Sequence, residues 1–185
     1  MPTRSAQVDA VWQAFRRHTG LDHDNYAVAS FGDSPEMATG LADLVVAGIK
    51  RATASLARDY GEGRESIPKP GDFGMMLYRK GRPRFIWRTT EVTIKPLSHV
   101  DDAFAWDEGE GDRTREWWLD AHRRYFARQA SREACEFDDD VPVAELALLP
   151  DTGLLFGGGG FYYGPPYHYY GGGLGLVLLL FRRRV

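Results

Sequence analysis

Gly48-Ile49-Lys50-Arg51-Ala52-Thr53-Ala54-Ser55 is the stretch where this chain turns from helix to strand. Upstream, Ser34 is a good N-cap, Pro35 suits the first helical position, and Glu36 faces the positive end of the helix dipole. Met37, Leu41, Leu44 and Val45 form one apolar stripe at helical spacing. Gly48 supplies the left-handed residue that ends the helix. Downstream the chain reads as a strand. Side chains in a regular strand alternate, so Thr53 and Ser55 share a face while Lys50 and Thr53 do not. Lys50 and Thr53 therefore act together only if the backbone between them turns. A lysine beside a hydroxyl serves as a base when neutral, or as a stabiliser of an oxyanion or phosphate when charged. The plain alternative is a solvated lysine at a strand start.

Working outward, Ser5 caps a first helix carrying Val8, Val11, Trp12 and Phe15, with Gly20 at its end. "NYAVASF" reads as a short strand or extended entry. After the loop "RDYGEGRESIPKPGD", the Pro70-Gly71-Asp72 turn leads into the strand "FGMMLYR". "KGRP" connects a hairpin, and "RFIWRTTEVTI" returns as a long strand. "VDDAFAWDEGEGD" reads as a loop. Asp112 or Thr114 then caps a helix bearing Trp117, Trp118, Ala121, Tyr125 and Phe126. His122 on that helix is read as a packing or surface residue, because no second metal-type ligand is spaced with it. "VPVAELALL" is a last strand. Tight-turn strands with helices outside predict a small barrel-like α+β domain.

The 185 residues suit one domain with a real core. The net charge of -3 gives no general push toward nucleic acid or membrane. Asp101 to Asp120 holds eight acids and two arginines, a local charge of -6. Arg79, Lys80, Arg82, Arg84 and Arg88 form one basic run, and Arg123, Arg124, Arg128 and Arg132 another. Both read as solvated faces, with phosphate binding as the alternative. The single cysteine, Cys135, excludes an internal disulfide and suits a reducing cytoplasm. The N-terminus has no apolar signal-type core.

"DEGEGD", Asp107 to Asp112, reads as a flexible acidic turn. Its glycines fall where a calcium loop needs oxygen ligands, so no metal site is expected. A carboxylate packed near Lys50 could instead orient it or move a proton. The segment after Leu149 is expected to be an unpacked low-complexity tail. Leu149-Pro150-Asp151-Thr152-Gly153 matches a sortase signal formally, but the apolar run that follows is too short to span a bilayer. An altered C-terminus is the preferred account.

"FGDSPEMATGLADLVVAGIKRATAS", "RTTEV" and "VDDAFAWDEGEGDRTREWWLDAHRRYF", in that order, resemble the ASCH domain family in its longer bacterial branch. The resemblance covers roughly Tyr26 to Val143, and the family motif G-x-K-x-x-[ST] stands as Gly48, Lys50 and Thr53. It implies a PUA-like fold, a small β-barrel with helices packed around it, over residues 1–149 including the N-terminal helix. Residues 150–185 are left as the tail. It also implies a nucleoside or RNA ligand held beside the Lys-Thr segment. Shorter members remove the acetyl group from N4-acetylcytidine with a lysine, a threonine and a glutamate. The first two carry over to Lys50 and Thr53. The glutamate falls on Glu110, with Glu108 as the close alternative. Gly48, Arg51, Ser55, Glu108, Arg88 and Trp106 are the expected substrate-binding residues. Other members of the longer branch are linked to RNA cleavage, which keeps an RNA-binding module or ribonuclease as the alternative. No cofactor and no membrane partner is expected, and the sequence points to no particular protein partner or oligomeric state.

Overall fold

The computed structural model describes residues 4–78 and 80–151, and the backbone of 154–157 and 160–163. Helix α1 (Ala6–Thr19) and helix α2 (Pro35–Val46) flank the short strand β1 (Ala27–Ala29). Strands β2 (Ala52–Leu56), β3 (Phe73–Tyr78) and β4 (Arg82–Pro96) follow, then helices α3 (Asp102–Glu108) and α4 (Arg115–Glu133), then β5 (Pro142–Asp151). The sheet order is β1-β3-β4-β5-β2, with β1 parallel to β3 and every other pairing antiparallel. The expected small barrel takes the form of a curled five-stranded half-barrel with helices around it, an α+β fold.

The caps are those the sequence names. Ser5, Ser34 and Thr114 each accept a backbone N–H three residues on. Gly48 takes a left-handed φ of 71° just past α2. Alternation along β3 divides the core. Met75 and Leu77 pack against Val8, Val11, Trp12 and Phe15 of α1. Met76, on the opposite face, joins Ala42 and Val45 of α2 and Phe85, Trp87, Leu146 and Leu148 inside the curl. A third cluster sets Trp118, Leu119 and Phe126 of α4 against Leu56, Leu97 and Val143.

Four expectations are corrected. On α2 the fully buried residues are Ala38, Ala42 and Val45, while Met37 is exposed. The inner stripe is made of small side chains, so the helix lies close to the sheet. "VDDAFAWDE" is not a loop. Asp101 caps α3 by accepting the Phe104 N–H at 2.8 Å, and Gly109 ends it at a φ of 72°. The acidic turn is not a freely solvated one either, because Glu108 is only 1% exposed. The last strand runs to Asp151, two residues past the expected boundary, and pairs with β4 to its end. Beyond it, β6 (Leu154–Gly157) and β7 (Gly160–Tyr163) pair antiparallel. Thr152 and Gly153 of the sortase-like signal, and residues 164–185 of the tail expected to be unpacked, lie outside the described residues. Among the described residues, no helix is long and apolar enough to cross a membrane.

Candidate active site

Lys50 lies between α2 and β2, and it is buried to 1% exposure. An isolated buried ammonium is costly, and here two carboxylates offset the loss of water. Lys50 Nζ donates to Glu108 Oε2 in a very short contact and to Glu110 Oε1 at 2.8 Å. The ring of Phe31 stands 5.4 Å from the same nitrogen.

Main-chain contacts bring residues so far apart in sequence together. The Arg51 N–H donates to the Asp107 carbonyl at 2.6 Å, and the Arg51 carbonyl accepts from Leu148 at 2.7 Å. Arg51 is thus pinned on both sides before β2 begins at Ala52. That junction is irregular backbone, so strand alternation does not govern Lys50. Gly109 fits against this segment. A Cβ there would lie 2.6 Å from the Ile49 carbonyl oxygen, inside contact distance. Gly111, also left-handed, lies under the Trp117 ring, which a Cβ would meet at 2.1 Å. The two glycines of "EGEGD" thus let the chain turn tightly enough to aim Glu108 and Glu110 at one nitrogen.

Thr53, Ser55, Glu108 and Glu110 line one cavity of about 1210 Å³, with Phe31 and Trp117 among its other walls. Lys50 is not among the lining side chains, so it sits behind the glutamates. Thr53 shares the cavity with them, but among the described residues no hydrogen bond joins it to Lys50. Ser55 Oγ is engaged with the Tyr60 hydroxyl at 2.8 Å. Gly48 serves the helix end. Arg51 points to solvent and pairs with Asp107. Trp106, 52% exposed, lies under the Arg113 guanidinium, and Arg88 is exposed on β4. Neither Trp106 nor Arg88 lines the cavity.

Sequence reading gave His122 only a packing or surface role, yet it belongs to this cluster. Its ring stacks on Trp118 at 3.8 Å between centroids, and its Nε2 faces Glu108 Oε1 at 3.9 Å. Ligand atoms of Glu108, Glu110 and His122 all lie within 4.8 Å of one another, a grouping of metal-ligand types. Part of that donor set is already engaged. The Lys50 ammonium bonds both carboxylates and supplies the positive charge that a cation would bring. The signal that could have found His122 is its place one turn beyond Trp118, on the buried face of α4.

The charges follow from burial. Lys50 is opposed by its own desolvation, but Glu108 and Glu110 outweigh this and hold its pKa above the usual lysine value. It is an ammonium, not a neutral base. Burial pushes Glu108 up to about 7 against the pull of Lys50. Glu110 is also desolvated, yet Lys50 wins and holds it below the usual carboxylate range. Burial pushes His122 down to about 4, so its ring is neutral at pH 7.

A family model described as the ASCH domain matches residues 27–145. No curated protein matches. Among solved structures, protein EF3133 from Enterococcus faecalis V583 is 34% identical, with a TM-score of 0.71 over 77% of this chain and 86% of that one. An ASCH domain from Lactobacillus crispatus JV V101 is 27% identical, with a TM-score of 0.68 over 78% of this chain and 91% of that one.

Proposed function

This chain belongs to the ASCH domain family, with its PUA-like fold, and from that premise we propose that it is an amidohydrolase acting on an acylated cytidine-type nucleoside. The observation that carries the reading is the buried Lys50 ammonium bonded to Glu108 and Glu110, which line the same cavity as Thr53. In this reading Thr53 Oγ attacks the acyl carbon. Glu110, kept ionised by Lys50, takes the hydroxyl proton and returns it to the leaving amine. Lys50 uses two of its three N–H groups on the glutamates. Its charge favours the oxyanion that develops on the acyl oxygen. Water then releases the acid from the threonine ester. Phe31 and Trp117 offer flat apolar walls to a nucleobase.

The test is release of cytidine from N4-acetylcytidine by the intact chain. Lys50→Ala and Thr53→Val are each expected to lower kcat/KM at least about 100-fold. Undiminished release from Lys50→Ala sinks the assignment.

The size of the cavity favours a second reading. About 1210 Å³ exceeds the roughly 300–1,000 Å³ typical of small-ligand pockets, and Arg124, Arg128 and Tyr125 also line it. A short single-stranded RNA, with bases on the aromatic rings and phosphates near the arginines, would use that length. It predicts affinity that falls steeply with salt. Equal affinity in low and high salt removes it.

A further inference from the structure

Glu108 Oε2 is engaged by Lys50, but Glu108 Oε1 is buried with no hydrogen-bond partner. A buried carboxylate oxygen left without a donor loses free energy, so such an atom marks a place where something is meant to bind. His122 Nε2 lies 3.9 Å from Glu108 Oε1, out of hydrogen-bond range, and the Glu110 carboxyl is a close neighbour of the same group. The other ring nitrogen, Nδ1, lies 3.0 Å from the Trp118 carbonyl. A carbonyl only accepts, so Nδ1 carries the ring proton and Nε2 presents a lone pair. Two acceptors therefore face one another across a gap in the wall of the cavity that both residues line.

The gap has a chemical preference. An atom at hydrogen-bond distance from both acceptors, 3.9 Å apart, sees them about 90° apart. A single N–H would have to split its proton between them. A water or a primary amine, with two protons spread at a wide angle, serves both. We infer that Glu108 Oε1 and His122 Nε2 form a two-acceptor notch holding one two-proton donor, either a water molecule or the amino group of a bound aminopyrimidine. His122 is then a binding and positioning residue rather than a packing one. The inference rests on the amidohydrolase reading only for the identity of the amine, which would be the leaving group of that reaction.

The notch also has a pH range. Lys50, Glu110 and His122 are the titratable groups facing Glu108. When Glu108 gains a proton, Oε1 is the oxygen Lys50 leaves free, and one acceptor becomes a donor. Preference for a two-proton donor is therefore full above the Glu108 pKa of about 7 and fades below it.

The experiment has three arms on the intact chain. Nitrogen-15 NMR of the wild-type protein reads the His122 tautomer, which is expected to be neutral and protonated on Nδ1 at pH 7. Calorimetric titration compares cytidine with N4,N4-dimethylcytidine, which lacks both amine protons. His122→Phe keeps a ring stacked on Trp118 and removes both nitrogens. If the amine fills the notch, cytidine binds wild type about 10- to 100-fold more tightly than the dimethyl analogue, and His122→Phe abolishes that preference. If water fills it, the two nucleosides bind alike, and His122→Phe lowers kcat for N4-acetylcytidine about 10-fold or more at unchanged KM. Protonation on Nε2, or a folded His122→Phe that changes neither preference nor kcat, overturns the notch. The wild-type tautomer decides the matter if that variant does not fold. Absence of N4-acetylcytidine turnover defeats the amidohydrolase reading alone, because tautomer and nucleoside preference need no turnover.

Discussion

His122 shows how much burial alone can do to one residue. Its pKa lies near 4 in the folded chain, against an ordinary value of about 6.5. Between those values the unfolded chain binds a proton that the native state refuses. Stability from this group is thus full above about pH 6.5 and lost as pH falls toward 4. Glu108 has the opposite sign. Its folded value is raised, so its ionisation costs stability as pH rises from about 4.5 to 7. The two partly cancel in wild type, and removing one exposes the other. His122→Phe is expected to be less sensitive to acid by roughly 2 kcal/mol between pH 7 and pH 5. Urea denaturation at the two pH values checks this, and an unchanged difference refutes it. None of this was legible in the sequence. His122 and Glu108 meet across two helices, and no spacing rule links them. That Lys50 and Glu110 meet was expected only through a family pattern. The physical reason for their assembly, a lysine left without water, belongs to the folded chain.

Among the elements, the junction of α3 with the start of β2 makes the site. Its helix was read as a loop because seven residues followed by two glycines look like a turn, though Gly109 is the helix end itself. The long α2 and α4 were legible from caps and periodicity, and so was the β3–β4 hairpin. The parallel pairing of β1 with β3 was not, since nothing local specifies a partner 47 residues away. Gly109→Ala is expected to destabilise the chain by about 2 kcal/mol or more, from the left-handed φ and the contact with the Ile49 carbonyl. It should also loosen the grip of Glu108 and Glu110 on Lys50. Gly48→Ala has the same backbone penalty with open space around it, so about 1 kcal/mol is expected. Thermal melts of the pair separate strain from collision. Equal losses would show that the collision contributes nothing.

At the scale of the whole molecule, the acidic segment 101–120 is less repulsive than its count suggests. Glu108 and Glu110 are committed to Lys50, Asp107 to Arg51, Asp101 to Lys95, and Asp120 to Arg124. Their pairing weakens the repulsion that eight acids would otherwise offer a polyanionic ligand. Among the described residues, the five-stranded sheet and the members of all three core clusters lie at or before Asp151. We therefore expect a chain cut after Asp151 to keep a single sharp thermal transition and to retain whatever ligand binding the full chain shows. Loss of cooperativity would mean that later residues belong to the domain.

The main-chain stitch between Arg51 and Asp107 has a further consequence, for the order of events in folding. Lys50 and its two glutamates are separated by 58 and 60 positions, and their charges meet only when α3 has docked on the strand start. Closing so long a loop around three charges that must shed water is a poor way to begin. The pair should therefore form late, after the β3–β4 hairpin. Lys50→Met would then speed unfolding and leave the refolding rate nearly unchanged, a φ-value close to zero. Stopped-flow refolding of the two proteins measures it. A value near one would place the lysine in the nucleus and reverse the order.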